Sequence, residues 1–379
     1  MPWQEVSTMD QRREFVMLAG LEGANRRELC RRFGISAQTG YKWLKRSAGG
    51  NDAWYVDAPR RPRHSPGRLD GALEGAILEV RDAHPAWGAR KIAVCLERAG
   101  LAVPAVSTIH AVLARHGRTI PSKQPGQAPG RFEYPAPNLM WQMDFKGKVA
   151  MTGACCCHPL TVIDDHSRFL LCLAACANEQ GQRVQHCLTD TFRCYGLPEA
   201  LLVDNGSPWG HGPGHCWTKL GVWLLKLGVD VIHSRPYHPQ TRGKNERLHR
   251  TLKAEVLAMN RFHDLDQAQQ AFDQWLPIYN TVRPHEALGQ QVPASRYVIS
   301  PRRMPDKLPT VDYPTGDIVR RVGTTKDYIS FKGRLWRVPA AFAGEPVALR
   351  PTDRDGRYGV YFAAKRIASI DLNSGFTDA

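Results

Sequence analysis

A chain of 379 residues is long enough for two to four domains with a sizeable buried core. Its 51 Lys and Arg against 36 Asp and Glu give a net charge of +15 and a pI near 9.5, which favours a polyanionic partner. The sequence contains no apolar run of 18 residues and no amphipathic lysine-rich anchor, so we exclude a membrane partner and expect nucleic acid.

The N-terminal sequence and the cysteines indicate a reducing compartment. The first residues lack the apolar segment of a signal peptide, so we expect a cytoplasmic protein whose ten cysteines stay reduced. The run Cys155 to His158 invites a zinc interpretation. Three adjacent cysteines on an extended strand cannot all face one ion, however, so we favour structural thiols over zinc.

Residues 1–57 are predicted to form a helix-turn-helix domain. Thr8 begins the first helix as a capping box, a second helix covers 26–33, and Ser36 caps a third helix that ends near Arg46. The segment 26–46 holds seven Lys or Arg against one acid. The alternative is a plain three-helix bundle with a solvated basic face.

Helix-turn-helix geometry assigns roles along the third helix. Its N-terminal residues face base edges, which nominates Gln38 and Thr39, whereas Lys42 and Arg46 are expected near phosphates. The side chains expected to face the core are Tyr41, Trp43 and Leu44.

A second helical unit is predicted at 69–117, after an extended basic linker at 58–68. Three helices are expected, the last capped by Ser107. As a second helix-turn-helix domain it would bring Ser107, Thr108 and His110 to DNA. A helical bundle without that role is the alternative.

A Pro- and Gly-rich linker at 118–138 leads into a core at 139–300. Three successive strands followed by alternating helices and strands predict an α/β fold with a mixed sheet. Asp144 lies on the polar side of an alternating strand at 139–149, and Asp204 follows a buried strand at 200–204.

A third carboxylate, Glu246, lies near the start of a helix predicted at 243–259. On a helical period Glu246, His249, Arg250 and Lys253 share one face. Three carboxylates that converge would supply the oxygen ligands of a divalent metal. The alternative for Glu246 is a surface pair with Arg250, worth about 0.3 to 0.5 kcal/mol.

Two other acidic features are interpreted as structural. Asp164 and Asp165 stand between two apolar runs and are expected to form a turn, with Arg168 packed nearby. Glu255 is half a helical turn out of phase with Glu246 and is predicted to point away from it.

The motifs WQMDF, LLVDNG and YHPQTRGKNER, in this order, resemble those of integrase-core insertion-sequence transposases. These belong to the DDE superfamily, whose catalytic domain is RNase H-like. The resemblance runs from the N-terminal helix-turn-helix to YNTVRPHEAL. It implies a DNA transposase, associated with the nucleoid, that binds transposon ends and catalyses Mg²⁺-dependent 3′-end cleavage and strand transfer, as a homo-oligomer on double-stranded DNA.

Under this resemblance, two Mg²⁺ ions, for which Mn²⁺ can substitute, are held by the triad: Asp144 bridges both, Asp204 completes one site and Glu246 the other. The candidates for holding the scissile strand are Asn205, Lys244, Asn245, Arg250 and Lys253. The spacer after Asp204 is longer than in retroviral integrases and carries a Gly-rich loop. We interpret this loop as DNA-facing rather than as a metal site at His211, His215 and Cys216.

The tail at 316–372 changes to short β patterns and is predicted to form a small five- or six-stranded barrel, which resembles the SH3-like C-terminal domain of integrases. Two other functions stay open. One is a catalytically inactive, sequence-specific DNA-binding regulator derived from a transposase. The other is an RNase H-type nuclease without transposition.

Overall fold

The structure, a computed structural model, describes residues 7–50, 52–57, 69–119, 133–153, 155–210, 217–234, 243–374 and 376–378. The 58–68 linker, most of the 118–138 linker, the candidate ligands His211, His215 and Cys216, and the start of the YHPQTRG motif lie outside these residues. The chain divides into two compact units, Met1–Leu69 and Asp70–Ala379. Within the described residues, every helix is too short or too polar to cross a bilayer.

The first unit contains three helices, α1 (Thr8–Ala19), α2 (Arg26–Arg32) and α3 (Ala37–Ser47). Ser36 caps α3 as predicted, because its hydroxyl accepts from Thr39 N. The prediction for α1 was wrong by one residue. Ser7 is the N-cap, and its side chain accepts a hydrogen bond from Asp10 N.

The inner face of α3 differs from the prediction at one position. Trp43 is buried, but Tyr41 is 49% exposed. The other inward position is Gly40, where an added Cβ would lie 2.5 Å from Cys30 Sγ and 2.9 Å from Phe15 Cζ. Glycine at this point therefore allows α3 to pack closely against α1 and α2.

The second unit begins with α4 (Gly71–Ala83), α5 (Ala89–Arg98) and α6 (Val106–Arg115). They share a core that includes Ile77, Ile92 and Ile109, all fully buried. Ser107 does not cap α6 as predicted. The N-cap is Ala105, which makes no side-chain capping hydrogen bond, and the helix begins at Val106, so Ser107 is already inside it.

A mixed sheet forms the centre of the second unit, as predicted. Its strands are β1 (Met140–Phe145), β2 (Val149–Ala150), β3 (Cys156–Asp164), β4 (Leu170–Cys176), β5 (Ala200–Val203) and β6 (Asp230–His233). Across the sheet the order is β4-β3-β1-β5-β6, and β2 pairs with the start of β3. Strands β1, β3 and β4 are antiparallel, whereas β1, β5 and β6 are parallel.

Helices cover both faces of this sheet. They are α7 (Gly181–Tyr195), α8 (Lys219–Lys226), α9 (Gly243–Leu252) and α10 (Leu265–Pro277). Trp141 and Met143 of β1 pack with α7 and α8 in one core cluster, whereas α9 and α10 pack with Ile163 in another. The helix predicted at 243–259 is α9 followed by one π-helical turn at Lys253–Leu257, and α10 likewise continues into a π-helical turn at Ile278–Val282.

The tail is all-β, with strands β7 (Ile318–Arg321), β8 (Tyr328–Phe331), β9 (Arg334–Arg337), β10 (Pro346–Pro351), β11 (Arg357–Phe362), β12 (Lys365–Asp371) and β13 (Phe376–Asp378). The six predicted strands form, and β13 is additional. In the described part of the chain they make a five-stranded sheet, β13-β12-β11-β10-β7, and a β8-β9 hairpin instead of one barrel. Both pack around one apolar core that includes Trp336 and Phe362.

Candidate active site

Asp144 in β1 and Asp204, which directly follows β5, lie at matching positions relative to these neighbouring parallel strands. The β1–β5 register pairs Gln142 with Leu202, and each aspartate follows two residues later. Side chains two residues apart point to the same face of a strand, and adjacent strands lie about 4.8 Å apart. The parallel direction of β1 and β5 thus brings both carboxylates to the same end of the sheet.

Helix α9 crosses this end of the sheet and contacts β1. His249 is buried beneath it, with Nε2 2.9 Å from Thr161 Oγ1 and Nδ1 3.9 Å from Asp144 Oδ2. Thr161 is the β3 partner of Asp144 and donates a hydrogen bond to its backbone carbonyl. Glu246 precedes His249 by three residues, or about one helical turn, and is exposed.

The sequence prediction placed His249 on the exposed basic face, and this was wrong. The inward face of α9 is made by Asn245, Leu248, His249 and Leu252, so only Glu246, Arg250 and Lys253 of the predicted set face solvent. Desolvation by burial, with a smaller effect of Lys146, lowers the pKa of His249 to about 4. The ring is therefore neutral at physiological pH.

Sequence reasoning missed Thr161 and assigned His249 to the wrong face. A signal existed for Thr161, because it is the polar residue in the apolar run LTVI of a central strand. None existed for His249, since its helical spacing from Glu246 predicts that both side chains share one face.

The donor chemistry of Asp144, Asp204 and Glu246 suits Mg²⁺, which prefers hard carboxylate oxygens. Among the residues that the structure describes, however, no three His, Cys, Asp or Glu side chains are close enough to hold one metal ion. Asp204 Oδ1 accepts from Asn205 N, and the Asn205 side-chain amide donates to the backbone carbonyl of Ser234, the residue that follows β6. These bonds fix the turn that carries Asp204 at the end of β5.

The wall next to the site is a buried polar network around Asp165. Its carboxylate accepts hydrogen bonds from Gln142 Nε2 at 2.7 Å and Tyr134 N at 2.8 Å, and it pairs with the Lys244 ammonium. Desolvation lowers the pKa of Lys244, while Asp165 opposes that effect. Asp165 is thus a structural acceptor.

Two of the predicted DNA-contacting residues have partners or positions inside the protein. Lys244 directs its ammonium to Asp165. Asn245 is only 4% exposed and faces the protein interior, so in this conformation it does not present its amide to a DNA strand. Both follow from the position of α9, whose first turn lies against the sheet.

The two acidic features that the sequence assigned to structural roles each bind partners within the fold. Asp164 accepts from Ser167 N, Ser167 Oγ and Asn138 N, which closes the predicted turn. Glu255 pairs with Arg283 at 2.8 Å and accepts from Trp275 Nε1. The segment from Arg283 to His285 is therefore anchored at the C-terminal end of α9 through Arg283.

The other candidate DNA contacts lie on helices that are open to solvent. Gln38, Lys42 and Ser107 are exposed, and Thr39 and Thr108 are half-buried at the starts of α3 and α6. Arg46 stacks on Trp43 and donates to Val56 O at 3.5 Å. His110 is also exposed on α6.

The second unit is thus an α/β fold whose mixed sheet has Asp144 and Asp204 at one end. Comparisons with known families are more specific. Integrase core domain models match residues 135–239 and 227–293, and a model of the C-terminal domain of IS481 family transposases matches 317–377. A helix-turn-helix domain matches 11–63 and a homeodomain-like domain 39–113.

Sequence relatives agree with these domains. The chain is 30% identical over 159 residues to an uncharacterized 39.2 kDa protein of insertion element IS476 of Xanthomonas euvesicatoria (42% of this chain, 44% of the relative). It is 24% identical over 243 residues to a putative transposase for IS5376 of Geobacillus stearothermophilus (62% and 59%). It is 23% identical over 378 residues to the transposase for IS21 of Pseudomonas aeruginosa (97% and 91%).

The chain thus spans less than two thirds of the length of the first two of these relatives. Together, these comparisons show that the chain is similar to integrase core domains, to the C-terminal domain of IS481 family transposases and to helix-turn-helix domains, each over the residues given.

Proposed function

We propose that this protein is the transposase of an insertion sequence, which cleaves the 3′ ends of its element and joins them to target DNA. Asp144, Asp204 and Glu246 are the proposed catalytic carboxylates. The observation that carries the proposal is the matched position of Asp144 in β1 and Asp204 just after the adjacent parallel strand β5, with helix α9, which bears Glu246, in contact with β1.

The proposed cofactor is a pair of Mg²⁺ ions, which Mn²⁺ can replace. Asp144 would be a ligand of both ions, Asp204 of one and Glu246 of the other. When bound, such ions activate an attacking oxygen and neutralise charge on the scissile phosphate. The half-buried Asp144 and the exposed Glu246 are both open to substrate, which supports this assignment.

The reaction has two displacements in one site. In the first, water attacks the scissile phosphorus, so that the transposon strand leaves with a free 3′-OH and the flanking strand keeps the phosphate. In the second, that 3′-OH attacks a phosphodiester of target DNA, and a target 3′-OH leaves. Neither step requires a covalent bond to the protein.

Recognition of the transposon end is assigned to the two helical units. Gln38 and Thr39 of α3 and Ser107 and Thr108 of α6 are the proposed base-reading residues, and their positions at helix starts support this role. Lys42 and Arg46 are proposed phosphate contacts. For the scissile strand, the candidates that the structure leaves open to solvent are Arg250 and Lys253, with the half-buried Asn205 beside Asp204.

Synapsis of two transposon ends would require at least two copies, so we propose a homo-oligomer on double-stranded DNA, associated with the nucleoid. Two DNA-reading units in one chain would let each copy bind an extended end sequence.

The test is Mg²⁺-dependent nicking of a duplex taken from the DNA that flanks this coding sequence. We compare wild type with Asp204→Asn, and use Asp230→Asn as the matched control. Asp230 lies on the neighbouring strand β6, where it is exposed and pairs with Lys365. Wild type and Asp230→Asn are expected to nick and join, and Asp204→Asn to bind without nicking.

The alternatives predict other results. A DNA-binding regulator would bind the duplex while none of the three proteins nicks it. An RNase H-type nuclease would cleave an RNA:DNA hybrid in preference to the end duplex. Equal nicking by wild type and Asp204→Asn would refute the proposed triad.

A further inference from the structure

Thr161 and His249 form a hydrogen-bonded chain directly behind Asp144, and neither belongs to the proposed triad. Thr161 is fully buried on β3, and His249 is buried on α9. Strand β3 and helix α9, which are far apart in sequence, thus meet at one residue of β1. Any role of this chain in catalysis rests on the proposed function of Asp144 as a cation ligand.

The protons in this chain can be assigned from the contacts. A threonine hydroxyl carries one proton, and a backbone carbonyl can only accept. Thr161 Oγ1 therefore donates to Asp144 O at 3.0 Å, and its 2.9 Å contact with His249 Nε2 is a bond donated by the histidine N–H. Nε2 of His249 therefore carries a proton.

His249 also lies beside the side chain of Asp144. Its Nδ1 is 3.9 Å from Asp144 Oδ2, which is beyond hydrogen-bond distance. The ring therefore packs against the Asp144 side chain while its Nε2 contacts Thr161.

We propose that Thr161 and His249 are positioning residues that hold Asp144 for cation binding. The His249 N–H fixes the rotamer of Thr161, and the Thr161 hydroxyl fixes the backbone of Asp144. Because His249 follows Glu246 by one helical turn, the same chain also sets the position of α9 relative to β1.

The experiment titrates the full-length protein with Mn²⁺ alone and follows binding by calorimetry. Thr161→Val removes the hydroxyl at nearly constant volume, and Thr161→Ser keeps it. His249→Phe keeps the ring and removes both nitrogens. Thr191→Val is the matched control, because Thr191 is a buried threonine of the same domain that donates to the backbone carbonyl of Cys187.

Thr161→Val and His249→Phe are expected to raise the Mn²⁺ half-saturation concentration about tenfold, the size of one lost hydrogen bond. Thr161→Ser is expected to stay within about twofold of wild type. Thr191→Val is expected to lower the melting temperature without changing the half-saturation concentration. This pattern distinguishes a positioning role from general destabilisation, because only a positioning role makes the Mn²⁺ half-saturation concentration depend on the hydroxyl at position 161.

Asp144→Asn separates failure of this inference from failure of the proposed function. If Asp144→Asn abolishes Mn²⁺ binding while Thr161→Val and His249→Phe bind as wild type, the positioning role is refuted and the triad stands. If Asp144→Asn also binds as wild type, both proposals fall. Should Thr161→Val not fold, Thr161→Ser and His249→Phe carry the same comparison.

Discussion

Replacing Arg283 by methionine tests whether Glu255 is held as a structural acid beneath α9. The pair is buried, with Arg283 and Glu255 side chains 9 and 8% exposed and 2.8 Å apart. Removing one partner of a buried pair leaves an uncompensated charge in the interior. We expect Arg283→Met to lower the free energy of unfolding by about 3 to 5 kcal/mol.

The structure supplies two comparisons for that magnitude. Arg90 pairs with Glu286 in the same unit, but these side chains are 72 and 58% exposed, so Arg90→Met is expected to cost at most about 1 kcal/mol. The double variant Arg283→Met, Glu255→Met removes both buried charges. It should be more stable than Arg283→Met alone, because the cost comes mainly from the stranded carboxylate.

Urea unfolding followed by tryptophan fluorescence measures these differences, and Trp275 reports locally because its indole N–H donates to Glu255. The reasoning is refuted if Arg283→Met and Arg90→Met cost the same, or if the double variant is less stable than Arg283→Met. Circular dichroism of the folded variants controls for loss of helix.

Three further predictions concern stability in acid and helix packing. Burial, with nearby cations, lowers the pKa of His285 to about 3. The buried ring therefore makes its full contribution to stability above pH 6.5 and loses it as the pH falls towards 3. In that window the free energy of unfolding of His285→Asn should depend less on pH than that of wild type. Hydrogen bonds from Arg115 and His116 lower the pKa of Glu74 to about 2. Between pH 4.5 and 2, the melting temperature of Glu74→Gln should therefore fall less with decreasing pH than that of wild type. Gly40→Val would place its side chain against Cys30 and should destabilise the first helical unit by about 1 to 3 kcal/mol. Thermal unfolding followed by circular dichroism should then show loss of helix at a lower temperature, and an unchanged transition would contradict the close packing of α3.

Local sequence patterns determined most of the elements. Alternation predicted β1 with Asp144 on its polar side, and a short apolar run predicted β5 with Asp204 at its end. Such patterns succeed because burial of one face imposes a period of two or 3.6 residues on the chain. Helix starts were predicted less accurately, as the observed N-caps Ser7 and Ala105 show. The N-cap is the residue at which the backbone changes from extended to helical, and the periodic pattern does not determine that residue.

The arrangement of the C-terminal strands was beyond the sequence. Each predicted strand formed, but the pairing of β7 with β10 and the separate β8-β9 hairpin depend on contacts between distant residues. A periodic pattern shows that a strand has a buried face. It does not state which strand lies beside it.

What the sequence determined by itself was the order of elements, the helix-turn-helix pattern and the strand or helix that carries each candidate carboxylate. Only the tertiary structure decided which polar groups turn inward: His249 to Thr161, Lys244 to Asp165 and Glu255 to Arg283. The physical reason is that a polar side chain is buried when a partner is present to satisfy it. That partner lies tens of residues away and is brought near only by the packing of α9 on the sheet.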